Sequence, residues 1–91
     1  MNECQQTVLI TNKRGLHARA SAKFVTLASA QNAAIEVAKD GSKVAGTSIM
    51  GLMMLGAALG DHITISASGD GAEQAVATLA ELVEARFHEA E

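Results

Sequence analysis

A small α+β domain is the fold class that the sequence predicts, with a four-stranded antiparallel sheet covered on one face by three helices. Two observations predict it: four short runs have the composition or alternation of strands, and three longer runs have helical periodicity. Their order, β-α-β-β-α-β-α, buries one sheet face under the helices and leaves the other to solvent, as in an open-faced sandwich. The 91 residues, 48% of them hydrophobic, fit one domain over residues 1–91.

The strands are predicted from β-branched residues and from the alternation of apolar with polar positions. Ile63, Ile65 and Ala67 show the clearest alternation, which indicates a strand with one wet face. Asp40 and Gly41 form the dipeptide that a tight type I′ turn prefers, so the runs on either side should pair as a hairpin. The predicted strands are residues 7–11, 34–39, 42–45 and 62–68.

The helices are predicted from apolar residues three or four positions apart. The first covers residues 18–30. The second follows the Thr47-Ser48 pair, which offers an N-cap, and its residues 49–55 are apolar nearly all round. The last is amphipathic, and its apolar face consists of Val76, Leu79, Val83 and Phe87.

Composition and charge argue against several classes of function. A formal net charge of −3, with no Trp or Tyr, disfavours binding nucleic acid through bulk charge or base stacking. The single Cys4 cannot form an internal disulfide, which suggests a reducing compartment. The longest apolar stretch, residues 49–59, is broken by Gly51 and Gly56 and is too short to span a bilayer. We therefore expect a cytoplasmic protein without membrane insertion.

The charges are distributed unevenly along the chain. No acidic residue occurs between Glu3 and Glu36, whereas four of the seven basic residues lie in that window. A helix that begins near residue 18 should favour acidic residues in its first turn, where unpaired amides carry positive partial charge. The four basic residues are Lys13, Arg14, Arg19 and Lys23. A bound anion at the start of this helix is the simplest way to compensate the positive charge that the basic side chains and the helix amides bring together there.

His17 lies at the same place and has the properties of a nucleophile. The helix dipole disfavours an imidazolium there, so the ring should stay largely neutral and keep a nitrogen lone pair. A phosphoryl group on that ring would be stabilised by the helix amides and by Arg19. His17 and Arg19 are therefore the catalytic candidates. The alternative is that His17 merely caps a turn before the helix.

Two segments resemble signatures of one bacterial family. Residues 15–21, with the sequence GLHARAS, resemble the active-site signature of the histidine-containing phosphocarrier proteins (HPr) of the phosphoenolpyruvate-dependent phosphotransferase system. Residues 48–55, SIMGLMML, resemble that family's regulatory serine and the short helix after it. Their separation and the order of elements also agree with the family, so the resemblance extends over almost the whole chain.

The resemblance implies a phosphotransfer role. His17 takes a phosphoryl group from phospho-enzyme I, on Nδ1, and donates it to a histidine of an enzyme II A domain in sugar uptake, while Arg19 helps to hold the group. The chain is then a phosphotransfer protein with a phosphohistidine intermediate rather than a free-standing enzyme, and we expect a monomer. It departs from the family at Ala20, where Pro is usual, and at Thr47, where a basic residue or Asn is common.

Ser48 and the apolar helix after it carry further predictions. By resemblance, Ser48 is the target of regulatory phosphorylation by an HPr kinase/phosphorylase; the alternative is an ordinary N-cap, and both roles can coexist. A short helix that is apolar nearly all round cannot bury every side chain, so part of it should form an exposed docking patch for partner proteins. The predicted docking residues are Ile49, Met50 and Met53, whereas Leu52 and Leu55 should fill the core.

No metal, nucleotide or other cofactor site is predicted. The spacing among Cys4, His17, His62 and His88 resembles no compact zinc motif. His62 should lie on the polar face of its strand and His88 on the polar face of the last helix, both solvated. The Gly41-Ser42-Lys43 tripeptide lacks the remaining glycines of a nucleotide-binding loop.

Three other functions stay open at this point. The first keeps the fold but makes the chain a nitrogen-related regulatory phosphocarrier, whose phosphorylation state is read by other proteins. The second is a small α+β hydrolase of acyl phosphates, which would need a glycine-rich phosphate loop after the first strand, where this chain has a histidine. The third is a non-catalytic binding module, which would never carry an added phosphate.

Overall fold

The structure, a computed structural model, describes residues 2–90 and follows the predicted order of strands and helices. The strands are β1 (Glu3–Leu9), β2 (Ala34–Lys39), β3 (Ser42–Ala45) and β4 (His62–Ser68). The helices are α1 (Ala18–Ser29), α2 (Ile49–Met54) and α3 (Ala72–Glu84). Within the described residues the strands form one antiparallel sheet in the order β1-β4-β2-β3, which confirms the predicted fold class.

Backbone pairing places the apolar residues of three strands on one face of the sheet. Val8 of β1 lies opposite Ile63 of β4, and Ile65 of β4 lies opposite Val37 of β2. All four side chains are buried, whereas the residues that alternate with them are exposed or half-buried. This one-sided burial is typical of an open-faced sandwich.

β1 begins earlier than the sequence predicts, at Glu3 instead of residue 7, and it ends at Leu9 instead of residue 11. Its first half is polar and has no β-branched residue, yet it pairs with β4, where Cys4 lies opposite Ala67. Backbone pairing with a neighbouring strand, rather than side-chain propensity, therefore sets the start of this strand.

β2 and β3 form the predicted hairpin. Asp40 and Gly41, between the paired residues Lys39 and Ser42, have φ angles of 50° and 84°. A type I′ turn requires positive φ at both central residues, and Asp-Gly tolerates this conformation better than most dipeptides. The turn residues thus account for the tight reversal between the two strands.

The helices cover the apolar face of the sheet. Phe24 of α1, Leu52 of α2 and Leu79 of α3 are fully buried, and Leu55, just after α2, is also buried. These positions confirm the predicted core roles of Leu52 and Leu55. Burying a side chain of this size contributes roughly 1.5–3 kcal/mol. The shared core therefore holds α1, whose first turn carries the candidate site, firmly against the rest of the domain.

The C-terminal segment departs from the prediction. α3 ends at Glu84, and the following Arg86–His88 form a short 3₁₀ turn rather than a continuation of the helix. The three residues of this turn have φ angles of 57°, 54° and 57°, a region that non-glycine residues rarely adopt. Phe87 is nevertheless fully buried. Helical periodicity therefore identified a core residue correctly, but the chain reaches the core through a tight turn.

Candidate functional site

The loop between β1 and α1 is fixed by close packing at Gly15. Gly15 has a φ of 61°, and a Cβ atom there would lie 2.3 Å from the carbonyl oxygen of Ala57. The amide of Leu16 donates a hydrogen bond to that oxygen at 2.9 Å, and the Leu16 side chain is buried. Glycine suits both the conformation and the contact. The loop therefore brings His17 to a defined position at the start of α1.

His17 is the N-cap residue of α1 through its backbone and not through its side chain. Its φ of −74° and ψ of 178° are extended, and its carbonyl oxygen accepts a hydrogen bond from the Ser21 amide at 2.9 Å. Within the described residues the imidazole makes no capping hydrogen bond, and the side chain is 14% exposed. The capping alternative thus accounts for the backbone of His17 but not for its ring.

A carboxylate lies beside this ring. Nε2 of His17 pairs with Oε2 of Glu89, and Oε1 of Glu89 accepts a hydrogen bond of 3.1 Å from Nδ2 of Asn12. The same Nδ2 donates to the carbonyl oxygen of Gly15 at 2.9 Å. Asn12 is fully buried. Asn12, Glu89 and His17 therefore form a continuous polar triad that joins the loop before α1 to the C-terminal segment.

The surroundings of Glu89 keep its carboxyl group charged. Burial acts to raise the pKa of Glu89, because the charged form loses hydration. Hydrogen bonds from His17 and Asn12, together with attraction to His17 and Lys23, outweigh burial, so the pKa of Glu89 lies below its usual value. A carboxylate only accepts hydrogen bonds, and Nε2 of His17 must therefore be the donor in this pair.

The basic residues near His17 converge on a shallow cleft of about 280 Å³. The cleft is lined by Lys13, Arg14, His17, Arg19, Lys23, His88, Glu89 and Ala90. Nζ of Lys23 donates a hydrogen bond of 2.6 Å to the carbonyl oxygen of Phe87. Arg19 is exposed and forms no ion pair with any residue from 2 to 90. The structure therefore brings His17 and Arg19 together, and the chain itself supplies a carboxylate to the basic cleft.

α2 and its N-cap carry the other predicted site residues, and none of them lines this cleft. Ser48 is the N-cap of α2, and its Oγ accepts a hydrogen bond of 2.9 Å from the Gly51 amide. The predicted cap is therefore present. The three predicted docking side chains are exposed, at 42% for Ile49, 70% for Met50 and 43% for Met53. They form an apolar surface on the helical layer of the domain.

The sequence did not indicate Asn12 or Glu89 as neighbours of His17, and the predicted position of His88 was wrong. His88 lies on the left-handed turn and lines the cleft, instead of occupying the polar face of a longer final helix. Glu89 is 72 residues away from His17 in the sequence, so no local pattern connects them. The one feature of the sequence that could have indicated this contact is Phe87, because a buried aromatic residue holds the residues next to it in the chain close to the core.

The described residues contain neither a cluster of metal ligands nor a membrane-spanning helix. No three His, Cys, Asp or Glu side chains converge among them as a metal site requires. His62 is exposed on β4, and Cys4 is half-buried on β1. The longest helix, α3, has 13 residues, and no helix in this part of the chain is long and apolar enough to cross a membrane.

Comparison with known proteins identifies the family. A family model described as "PTS HPr component phosphorylation site" matches residues 4–85. Phosphocarrier protein HPr of Neisseria meningitidis is 45% identical over 87 residues, which cover 96% of this chain and 98% of that protein. Phosphocarrier protein NPr of Shewanella violacea is 39% identical over 90 residues, which cover 99% of each. The crystal structure of HPr-C-His from Thermoanaerobacter tengcongensis matches with a TM-score of 0.89 and 45% identity, over 100% of both chains. The chain therefore belongs to the HPr family and is a phosphocarrier of the phosphotransferase system.

Proposed function

We propose that this phosphocarrier accepts a phosphoryl group from phospho-enzyme I on Nδ1 of His17 and passes it to a histidine of enzyme II A domains, in the cytoplasm and for sugar uptake. The observation that carries the proposal is the pairing of Nε2 with the Glu89 carboxylate. This pairing keeps the ring proton on Nε2 and leaves the lone pair on Nδ1, in a ring that lines a basic cleft.

The proposed transfer balances within two imidazole rings and one phosphoryl group. The lone pair on Nδ1 of His17 attacks phosphorus and forms a new N–P bond. The N–P bond of the donor histidine breaks, and its electron pair returns to the donor ring. His17 keeps its proton on Nε2 throughout. Donation to the next partner is the same step in reverse, with His17 as the leaving group.

The surroundings of His17 suit a dianionic group. The amides of Ala18, Arg19 and Ala20 have no carbonyl acceptor one turn earlier in α1, so they can donate to an anion. The exposed guanidinium of Arg19 adds positive charge on the same cleft, and the first turn of α1 has no acidic residue. We therefore assign to Arg19 the role of holding the phosphoryl group.

A second candidate function is a regulatory role in the nitrogen-related branch of the same system. The observation in favour of this role is that the chain is 39% identical to an NPr protein over 99% of both chains. Its identity to an HPr protein is only slightly higher, at 45%. We prefer sugar uptake because Ser48 and the helix after it resemble the kinase-regulated members. Charging with purified enzyme I from each branch distinguishes the two, and we expect the sugar-branch enzyme to charge the chain faster.

Ser48 is proposed as a regulatory phosphorylation site beside the docking patch of Ile49, Met50 and Met53. Ser48 is half-buried, and its hydroxyl caps α2. A phosphate there is compatible with the helix amides, but it adds negative charge next to the apolar patch and should weaken partner binding. Incubation with ATP and an HPr kinase/phosphorylase should phosphorylate the wild type and not Ser48→Ala. Equal labelling of both proteins would show that the kinase phosphorylates a residue other than Ser48.

Incubation with phosphoenolpyruvate and enzyme I tests the main proposal. The protein should gain an acid-labile phosphate, as expected of a phosphoramidate. His17→Ala should gain none, and the matched control His62→Ala, which changes an exposed histidine on β4, should be charged normally. Normal charging of His17→Ala would refute the assignment.

The role of Arg19 is tested in the same reaction. Arg19→Ala should slow the transfer without eliminating it, because the helix amides and the other basic side chains of the cleft remain. Lys43→Ala removes one positive charge from an exposed position on β3, away from the cleft, and serves as the control. Unchanged kinetics of Arg19→Ala would remove Arg19 from the mechanism.

A further inference from the structure

The polar triad of Asn12, Glu89 and His17 has the arrangement of a nucleophile that is oriented by a carboxylate. We propose that Glu89 is a positioning residue for phosphoryl acceptance, which holds the Nε2 proton of His17 and stabilises the positive charge that the ring gains. This inference rests on the proposed function, because it assigns to Glu89 a part in the reaction at Nδ1. It adds a residue that lies outside the segment that resembles the family's active-site signature.

The charge changes during transfer explain why a carboxylate helps at this position. The neutral form of His17 carries a lone pair on Nδ1. When this form makes the N–P bond there and keeps its proton at Nε2, both ring nitrogens are substituted and the ring becomes cationic. The positive charge is shared with Nε2, where the Glu89 carboxylate accepts the hydrogen bond. A preorganised group that faces developing charge stabilises the transition state more than the ground state.

Glu89 is held in place from two sides. Its Oε1 accepts a hydrogen bond from Asn12, whose side chain is fully buried and therefore has little freedom to move. Its backbone follows Phe87, which is also fully buried and whose carbonyl oxygen accepts a hydrogen bond from Lys23. The Glu89 side chain itself is only 12% exposed. These contacts fix the carboxylate in the way that a positioning role requires.

The same carboxylate also lies in a cleft that should receive a dianion, which gives an opposing prediction. If Glu89 chiefly repelled or competed with the phosphoryl group, its removal would speed acceptance. The geometry favours positioning, because Glu89 contacts Nε2, the ring nitrogen across from the one proposed to react. The sign of the effect of Glu89→Gln on the rate therefore separates the two roles.

Steady-state phosphorylation by phosphoenolpyruvate and enzyme I tests the proposal with Glu89→Gln and, as the charge-matched control, Glu84→Gln on the exposed side of α3. We expect Glu89→Gln to lower kcat at least about 10-fold, equivalent to about 1.4 kcal/mol, with KM nearly unchanged. Glu84→Gln should behave as the wild type. A kcat for Glu89→Gln equal to or above that of the wild type, or a change in KM alone, would overturn the positioning role.

A measurement on the unphosphorylated protein follows the contact itself. With ¹⁵N-labelled histidine, the wild type and Glu84→Gln should show a slowly exchanging, downfield proton on Nε2 of His17. In Glu89→Gln, whose amide oxygen is an uncharged and weaker acceptor, this proton should move upfield and exchange faster. An unchanged chemical shift and exchange rate in Glu89→Gln would overturn the proposal. If enzyme I charges the wild type and Glu89→Gln equally well, only the positioning role of Glu89 is rejected. If enzyme I never charges the wild type, the proposed function is rejected as well.

Discussion

Replacing Phe87 with alanine tests how the C-terminal segment reaches the site. Phe87 is fully buried, on a turn with left-handed backbone angles. Removing the ring forfeits roughly 1.5–3 kcal/mol of transfer free energy, and the unfilled space adds to this, so that Phe→Ala changes usually cost about 3–5 kcal/mol. We expect a loss of about 3 kcal/mol in the free energy of unfolding, because a short turn outside the regular helices can relax into part of the space.

The same change should disturb the site. Without the ring as an anchor, the turn that precedes Glu89 loses its contact with the core, and the carboxylate no longer stays beside Nε2 of His17. The rate of phosphoryl acceptance should then fall in the folded variant. Phe87→Leu keeps most of the apolar volume, so this matched control should lose less than about 1.5 kcal/mol and keep a rate near that of the wild type.

Urea unfolding followed by circular dichroism gives the free energies, and thermal unfolding provides a second measure. In a domain of this size, 3 kcal/mol corresponds to a decrease of roughly 12–24 °C in Tm. Equal losses in Phe87→Ala and Phe87→Leu would show that the buried ring does not anchor the segment. Unimpaired charging of a folded, destabilised Phe87→Ala would contradict the link between the anchor and the site.

Three further predictions concern the loop, the second helix and acid stability. Gly15→Ala should cost more than about 1 kcal/mol, because its Cβ would lie 2.3 Å from the Ala57 carbonyl oxygen; Gly56→Ala, at a similar φ of 67° but with open space, should cost less, as thermal unfolding would show. Ser48→Ala should cost about 1 kcal/mol through the lost cap of α2, and an unchanged free energy of unfolding would contradict this. Because the pKa of Glu89 is lowered from its ordinary value of 4.5, its carboxylate stabilises the fold above that pH, and this stabilisation is lost as the pH falls through the folded pKa. The stability difference between the wild type and Glu89→Gln should therefore shrink on acidification, whereas a constant difference would argue against the contact.

The sheet and the first helix were predictable because local pattern and tertiary structure agree there. Ile63 and Ile65 alternate with polar residues, and the strand has one buried face; Asp40 and Gly41 prefer the tight turn that they form. His17 could be located because a basic first turn conflicts with the helix dipole, and the structure places that histidine at the start of α1. Each of these features depends on residues close together in the sequence.

The contribution of the C-terminal segment to the site, above all Glu89, was not predictable in the same way. The positions of Val83 and Phe87, four residues apart, suit a continuing helix, and both are buried; no local pattern reveals that the backbone turns between them. The contact between His17 and Glu89 depends on that turn and on the buried Asn12. Such long-range polar contacts follow from the packed fold rather than from periodicity. The sequence therefore indicated Arg19 beside His17 but not Asn12 or Glu89.

The position of the phosphoryl group on the ring is the most direct test of the central claim. ³¹P and ¹⁵N NMR of the charged protein, with ¹⁵N-labelled histidine, measure which nitrogen is bonded to phosphorus. We predict phosphorus on Nδ1 of His17 and a proton on Nε2, facing Glu89. Phosphorus on Nε2, or on His62 or His88 in place of His17, would contradict this prediction.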